Sequence, residues 1–297
     1  MLRIVSFSYL GLPEWGIVTD DGAHILRAAE LEEALFIPLP ATVAELVANG
    51  PEGLVILQSA LTQKEENEAL ALTPLAFDEV TWDVPLLPIR NLFCVGQNYA
   101  AHVSEFSGQD TPLPSAPVYF TKATTTVLPH LAPLPRHADV TKALDYEGEL
   151  AVIIGQTTQQ VDSAQALDHV FGYTIACDIT ARDLQSERGQ WFLGKSLDGS
   201  CPIGPAILVG TPDEPFHLTT KVNGELRQAA TTDEMLFSVA QLIADLSQGV
   251  TLLPGDIILT GTPAGVGKGF TPPRYLQSGD TVEITIDGIG TLQNTVQ

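Results

Sequence analysis

The sequence predicts a mostly-β α+β protein with a small α+β module at its N-terminal end, and three observations predict it. Short runs rich in β-branched and aromatic residues dominate from Asn91 onward, while helical patterns there are few. Those strands do not alternate regularly with helices, which disfavours a doubly wound nucleotide-binding fold. An apolar fraction of 44% against 17% charged residues over 297 positions supplies ample material for a packed core.

In chain order, residues 1 to about 75 open with the β-like runs RIVSF, WGIVT and HILRA, interrupted by the turn residues Asp20-Asp21-Gly22. Apolar spacing then predicts helices around Val43–Leu46 and over Leu54–Leu70. Pro85 and Pro88 in WDVPLLPIRN suit an extended connector, so the reading is a module at 1–85 and a main domain at 86–297. Beyond it, LFCVG, PVYF, ELAVIIG, GYTIAC, PAILVG, LTTKVNGELRQ, DIILTG and DTVEITIDGIGTLQ read as strands. Asn223-Gly224 and Asp287-Gly288 supply hairpin turns. Helices are expected near Tyr99–Phe106, near Asp162–Val170 and over Met235–Leu246. No internal repeat or low-complexity tract is visible.

Fourteen Lys+Arg against 36 Asp+Glu give a formal charge of −22, which repels phosphate backbones and offers anionic lipid no broad basic patch. Nucleic acid and membrane are therefore excluded as general partners. A small anionic substrate would feel the same repulsion, so its site needs local cations. No stretch approaches the roughly 20 apolar residues that span a bilayer. MLRIVSFSYLGLPEWGIV lacks a basic segment followed by a long apolar run, and reads as a first strand and turn; a soluble, cytoplasmic protein is expected. Cys94, Cys177 and Cys201 are odd in number and widely spaced, which fits buried thiols better than disulfides or a zinc site.

The most informative segment is Asp145-Tyr146-Glu147-Gly148-Glu149, running into the apolar LAVIIG. On a strand, Glu147 and Glu149 project to one side. Such a pair is either a solvated strand end or a cation site. Asp178, just past the apolar run GYTIAC, offers a third carboxylate at the same kind of strand terminus. Three carboxylates without a Cys or His cluster favour a hard ion, Mg²⁺ or Mn²⁺ with Ca²⁺ as a further candidate, over zinc.

His102 and Glu105 stand three apart on the helix expected there, hence on one face. That spacing serves either a surface ion pair or a general base whose imidazole is oriented by a carboxylate. Lys195, flanked by Gly194 and aromatic residues, and Lys122 are each either pocket cations or snorkelling surface lysines. The run Thr260-Gly261-Thr262-Pro263-Ala264-Gly265 reads as a strand end opening into a tight loop, able to bring hydroxyl and N–H groups to a carboxylate. Gly265-Val266-Gly267-Lys268-Gly269 only superficially matches a phosphate loop, since Thr262 replaces a required glycine and Gly269 follows the lysine. Neither GxSxG nor HExxH occurs, so serine-hydrolase and zinc-protease readings have no support.

NYAAHVSEF, DYEGELAVIIG, DITARDLQ, QWFLGKSLDGSCPIGP, LLPGDIILTGTPAGVG and GDTVEITIDGIGTLQN, in that order over most of residues 91 to 297, resemble the fumarylacetoacetate hydrolase family. The first 85 residues resemble the looser N-terminal module of its longer members. The resemblance implies a mixed-strand β-roll, usually dimeric, in which Glu147, Glu149 and Asp178 bind the divalent ion. It implies that His102 and Glu105 activate water on a mobile lid helix and that Lys195 polarises or protonates substrate. Arg182, Gln185, Lys122 and Thr262 would hold the substrate's carboxylate and oxo groups. The chain departs from the family pattern at Cys177, where Asn is common, and at Leu197-Asp198-Gly199, where Phe-Asp-Thr is favoured; both are expected near the pocket. The implied activity is a metal-dependent hydrolase cleaving a C–C bond in an acylpyruvate or related 2,4-dioxo acid. A 2-oxo-acid decarboxylase or isomerase of the oxaloacetate or homoprotocatechuate type is the alternative on the same site. From another class stands a catalytically silent metal- or 2-oxo-acid-binding homologue, against which the retention of His102, Glu105 and Lys195 argues.

Overall fold

The computed structural model describes residues 1–67, 70–107 and 112–297. Twelve strands among the described residues form one large sheet. Its central order is Leu12–Val18, Arg3–Tyr9, Cys201–Val209, Val170–Cys177, Gly148–Ile154, Ile257–Leu259, Leu92–Gly96 and Val118–Lys122. Neighbours run antiparallel except Ile257–Leu259 and Leu92–Gly96, which are parallel. A second sheet joins the hairpin His217–Val222/Glu225–Thr231 to Thr281–Ile286 and Gly290–Val296. The mixed, mostly-strand α+β architecture expected from the sequence is the one observed.

The strand Gly148–Ile154 is buried on both faces, which is why LAVIIG is a continuous apolar run. Leu150, Val152 and Ile154 pack with Leu218, Ile284 and Leu292 of the second sheet. Ala151 and Ile153 face the opposite core, which contains Leu31, Leu46 and Leu57 from the N-terminal helices Ala28–Leu35, Val43–Ala48 and Gly50–Glu66. The N-terminal strands also extend the large sheet directly, through Arg3–Leu208 and Ile4–Ile207 pairing.

Several elements differ from expectation. The helix Ala28–Leu35 was not foreseen: it follows the strand His24–Arg27 without a side-chain cap and is held by burying Ala28 and Leu31. The helix expected over Leu54–Leu70 spans Gly50–Glu66, started by Pro51 in its first turn, and residues 68 and 69 lie outside the described residues. The helix expected from Met235 begins at Val239, because Ser238 accepts the Gln241 N–H and caps it. Asn223 and Gly224, both at positive φ, close a two-residue hairpin as expected. The Asp287-Gly288 turn takes in Ile289 as well, since Ile286 pairs with Gly290. No described helix is long and apolar enough to cross a membrane.

Candidate functional site

Strand register brings the acidic residues together. Gly148 pairs with Cys177, so Glu147 lies beside Asp178, whose N–H donates to the Glu147 carbonyl at 2.8 Å. One carboxylate oxygen from each of Glu147, Glu149 and Asp178 falls within 4.8 Å of the others. Exposures of 5%, 1% and 0% rule out the solvated strand end. Burial, then Asp178 and Glu147, push the Glu149 carboxyl well above the usual carboxylate range, and neither Lys195 nor the Gly261 N–H at 2.7 Å offsets them.

The chain's own cations oppose this charge in part. Lys195 Nζ donates to Glu147 Oε2 and to Asp178 Oδ2, each at 2.6 Å. Arg182 Nη1 lies 2.7 Å from Glu147 Oε1, and Arg182 Nε donates to Asp145 Oδ2 at 2.8 Å. Burial alone would raise Glu147, but Lys195, Arg182 and His102 more than offset it and hold this carboxyl well below its ordinary range. Burial opposes the Lys195 ammonium, yet Asp178 and Glu147 raise it above the ordinary lysine value. Asp178 Oδ1 lies 2.9 Å from Lys122 Nζ but has no hydrogen-bond partner of acceptable geometry among the described residues. Three carboxylate oxygens converging within 4.8 Å, crowded enough to push Glu149 up, make an all-oxygen donor set that fits a hard divalent cation.

A cavity of about 210 Å³ opens onto Glu147, Glu149, Arg182 and Lys195. Glu147, Glu149, Arg182, Gln185, Lys195, Thr262 and His102 all line it, so the structure gathers sequence positions spread over 160 residues. Its apolar wall comes from Phe120 and Trp191, whose rings meet edge to face at 5.4 Å, and from Val103. Gly96 admits Trp191: a Cβ there would stand 2.7 Å from a ring carbon.

The helix Ala100–Ser107 follows the strand Leu92–Gly96 and carries the dyad. His102 Nδ1 lies 3.2 Å from Glu105 Oε2, while Glu105 Oε1 accepts the Gly265 N–H at 3.0 Å. Both side chains are largely buried, so this is not a surface ion pair. The glycine loop therefore serves protein carboxylates: Gly261 holds Glu149 and Gly265 holds Glu105. The segment resembling a phosphate loop does the same, since the Gly267 and Lys268 N–H groups donate to Asp145 at 2.7 and 3.0 Å.

Lys122 departs from the substrate-holding role expected for it. It is fully buried behind Asp178, donates to the carbonyls of Ile179 and Lys195, and does not line the cavity. The Thr262 hydroxyl donates to the Gly148 carbonyl at 3.0 Å and accepts from Gln228 Nε2 at 2.7 Å, which commits its proton to the fold. Gln185 Oε1 accepts from Arg182 Nη1 at 3.2 Å at the cavity edge. Cys177 and residues 197–199, expected near the pocket, do not line it; Gly199 instead packs against Pro135. Burial pushes all three thiols up, so they remain protonated.

Sequence reading missed Asp145, Gln228 and Lys268. Asp145 anchors Arg182, and its only local sign was its place beside the Glu147 motif. Lys268 lines the cavity half-buried, and burial together with Arg182 lowers its ammonium from the ordinary lysine value. The one hint of it was the glycine-rich turn that carries it.

Comparison with known proteins places the fold. The family model described as fumarylacetoacetate (FAA) hydrolase C-terminal matches residues 91–297. The chain is 45% identical over 288 residues, 95% of either protein, to oxaloacetate tautomerase YisK of Bacillus subtilis. It resembles the solved fumarylacetoacetate hydrolase of Exiguobacterium antarcticum with a TM-score of 0.83 and 39% identity, covering 100% of this chain and 99% of that one. A fumarylpyruvate hydrolase from Pseudomonas aeruginosa, solved with Mn²⁺ and pyruvate, matches with a TM-score of 0.62 and 34% identity over 71% of this chain and 90% of its own.

Proposed function

Because the chain belongs to the fumarylacetoacetate hydrolase family of enzymes, we propose that it forms and reprotonates the enolate of a small 2-oxo acid in a divalent-metal site, with keto–enol tautomerisation of an oxaloacetate-like 2-oxo diacid as its reaction. The observation that carries the reading is the buried cluster of Glu147, Glu149 and Asp178, whose two glutamates line a cavity of about 210 Å³ together with Lys195. That volume lies below the roughly 300–1,000 Å³ of pockets for drug-sized ligands, which suits a short acid. The name of the Bacillus subtilis relative supports the same chemistry.

Glu147, Glu149 and Asp178 would hold Mg²⁺ or Mn²⁺, which when bound supplies electrophilic stabilisation of an enolate oxygen. Lys195 lies between Glu147 and Asp178, 2.6 Å from an oxygen of each, so it contributes positive charge beside the residues that would hold the ion. His102 is the cavity-lining group suited to take the proton from the carbon next to the carbonyl, with Glu105 fixing its ring through Nδ1. In the keto-to-enol direction that proton is delivered to the enolate oxygen, and in the reverse direction the enol O–H gives up its proton and the carbon receives one, so atoms and charge balance. Phe120, Trp191 and Val103 exclude water from that side of the substrate.

The assembled His102–Glu105 dyad supports a second reading, C–C hydrolysis of an acylpyruvate. There His102 would deprotonate a water that attacks the distal carbonyl; the C–C bond breaks to a carboxylic acid and a pyruvate enolate, which takes up a proton. The test follows the enol absorbance of oxaloacetate and of acetylpyruvate with Mn²⁺ and with chelator, products being identified by mass. The proposal expects metal-dependent enol–keto conversion of oxaloacetate, a loss of about 10²-fold in His102→Ala, and little cleavage of acetylpyruvate. Rapid cleavage to pyruvate without accelerated tautomerisation replaces it with the hydrolase reading.

A further inference from the structure

Gln228 lies on the strand Glu225–Thr231 of the smaller sheet, 1% exposed, and does not line the cavity. Its amide nevertheless meets the residues around the acidic triad. Gln228 Oε1 accepts the Gly148 N–H at 3.0 Å, and Nε2 donates to Thr262 Oγ1 at 2.7 Å and to the Pro263 carbonyl at 2.8 Å. Thr262 Oγ1 donates in turn to the Gly148 carbonyl at 3.0 Å. Both polar groups of Gly148 are thus closed into one ring of hydrogen bonds. The amide orientation is fixed by its partners, because Gly148 N–H only donates and the Pro263 carbonyl only accepts.

Gly148 is the residue between Glu147 and Glu149. A Cβ there would lie 2.2 Å from Thr220 Oγ1, so Thr220 on the neighbouring strand requires glycine, and 3.2 Å from Gln228 Oε1, so Gln228 packs closely against the same position. Gln228 also binds the loop on which Gly261 N–H holds Glu149. The buried amide of Gln228 therefore bridges the segment that presents two carboxylates and the loop that orients one of them, in addition to the direct Thr262 and Gly261 contacts between them.

We propose that Gln228 is a positioning residue for the divalent-ion site, holding the Glu147–Gly148–Glu149 segment and the Thr262 loop at the separation the ion requires. The proposal rests on the reading of Glu147, Glu149 and Asp178 as ion ligands. Partners one layer behind metal ligands commonly govern 10–100-fold in affinity. Gln228→Met keeps the side-chain length and removes all three hydrogen bonds. Gln228→Glu keeps an acceptor for Gly148 N–H but sets an oxygen against the Pro263 carbonyl.

The experiment measures Mn²⁺ affinity of the full chain by calorimetry and the bound-ion signal by electron paramagnetic resonance, with melting temperature alongside. Gln228→Met, Gln228→Glu and Thr262→Val are expected to weaken Mn²⁺ by about 10–100-fold and to change the bound spectrum. Thr262→Ser restores the hydroxyl and should return affinity to within about threefold of wild type. Ala229→Ser, on the same strand with an exposed side chain, should leave it unchanged. Folded Gln228 or Thr262→Val variants that melt earlier but bind Mn²⁺ like wild type would reduce Gln228 to a fold-stabilising residue and overturn the proposal alone. Wild-type protein that binds no Mn²⁺ would overturn the ion-site reading and this proposal together.

Discussion

Replacing Lys195 by methionine preserves the apolar length of the side chain and deletes one charge. Lys195 Nζ stands 2.6 Å from carboxylate oxygens of both Glu147 and Asp178, and all three side chains are buried. Lys195 is raised and Glu147 lowered from their ordinary values, so the pair is ionised throughout the neutral range. Removing one member of a buried pair leaves an uncompensated charge and costs about 3–5 kcal/mol. At about 2–4 °C per kcal/mol for a chain of this order of size, Lys195→Met should melt roughly 6–20 °C earlier in chelator.

A divalent ion neutralises the same carboxylates, and its stabilisation grows as RT ln(1 + [L]/Kd), about 2.7 kcal/mol at a hundredfold excess over Kd. In wild type the ion shares Glu147 and Asp178 with an ammonium; in Lys195→Met it does not. Mn²⁺ should therefore raise the melting temperature of the variant more than that of wild type, while catalysis stays lost. Scanning calorimetry of both proteins in chelator and in Mn²⁺ measures the two increments. Equal Mn²⁺ increments, or a loss below about 2 °C in chelator, would show that Lys195 does not carry the countercharge of the triad.

Asp145→Asn should destabilise the chain and raise KM for carboxylate substrates about tenfold or more, because Asp145 holds Arg182 Nε and the amides of Gly267 and Lys268; steady-state kinetics on oxaloacetate and its methyl ester check this, and an unchanged KM removes Asp145 from the support of the cavity. His130 supplies a test remote from the site: burial lowers its pKa from 6.5 to about 4, and its Nδ1 accepts the Gln293 N–H, which requires the neutral ring. Its contribution is complete above pH 6.5 and is lost as pH falls toward 4, about 3 kcal/mol in full. Urea unfolding of wild type and His130→Gln at pH 7 and pH 4.5 should show a smaller pH loss in the variant, and equal losses would assign acid sensitivity elsewhere.

What was legible in the sequence follows from the range of each signal. Glu147 and Glu149 announced a shared face because strand periodicity is local, and His102 and Glu105 did so because helical spacing is local. The register that brings Asp178 to the glutamate pair, Gly148 opposite Cys177, and the Gly265 contact that holds Glu105 are long-range and no local pattern specifies them. Gln228 was silent for the same reason: its partners lie 80 and 34 positions away, and an isolated glutamine in a polar hairpin carries no local mark. Amide donation could be read for Gly261 and Gly265 from their glycine-rich loop, but not for Gly267 and Lys268, whose segment fails the phosphate-loop pattern. The recipients of all four, Glu149, Glu105 and Asp145, could not.

The charge of the whole chain and the charge of the site pull in opposite directions, and the fold reconciles them by distance. At −22 the surface repels an anionic acid, but screening length is about 8 Å at physiological ionic strength, so groups inside the cavity outweigh the remote surface. With only 14 Lys+Arg in the chain, Lys122, Arg182 and Lys195 are spent against four carboxylates, Asp145, Glu147, Glu149 and Asp178. That balance leaves the buried cluster one negative charge in excess when all four acids are ionised, before Lys268 at the rim is counted. Glu149 is where the excess is expressed, since it is the carboxyl pushed upward while Glu147 is held down. On the proposed function, a divalent cation at Glu147, Glu149 and Asp178 would convert the excess to a net positive charge where the 2-oxo acid would approach, which would make ion binding and anion capture successive consequences of the same imbalance.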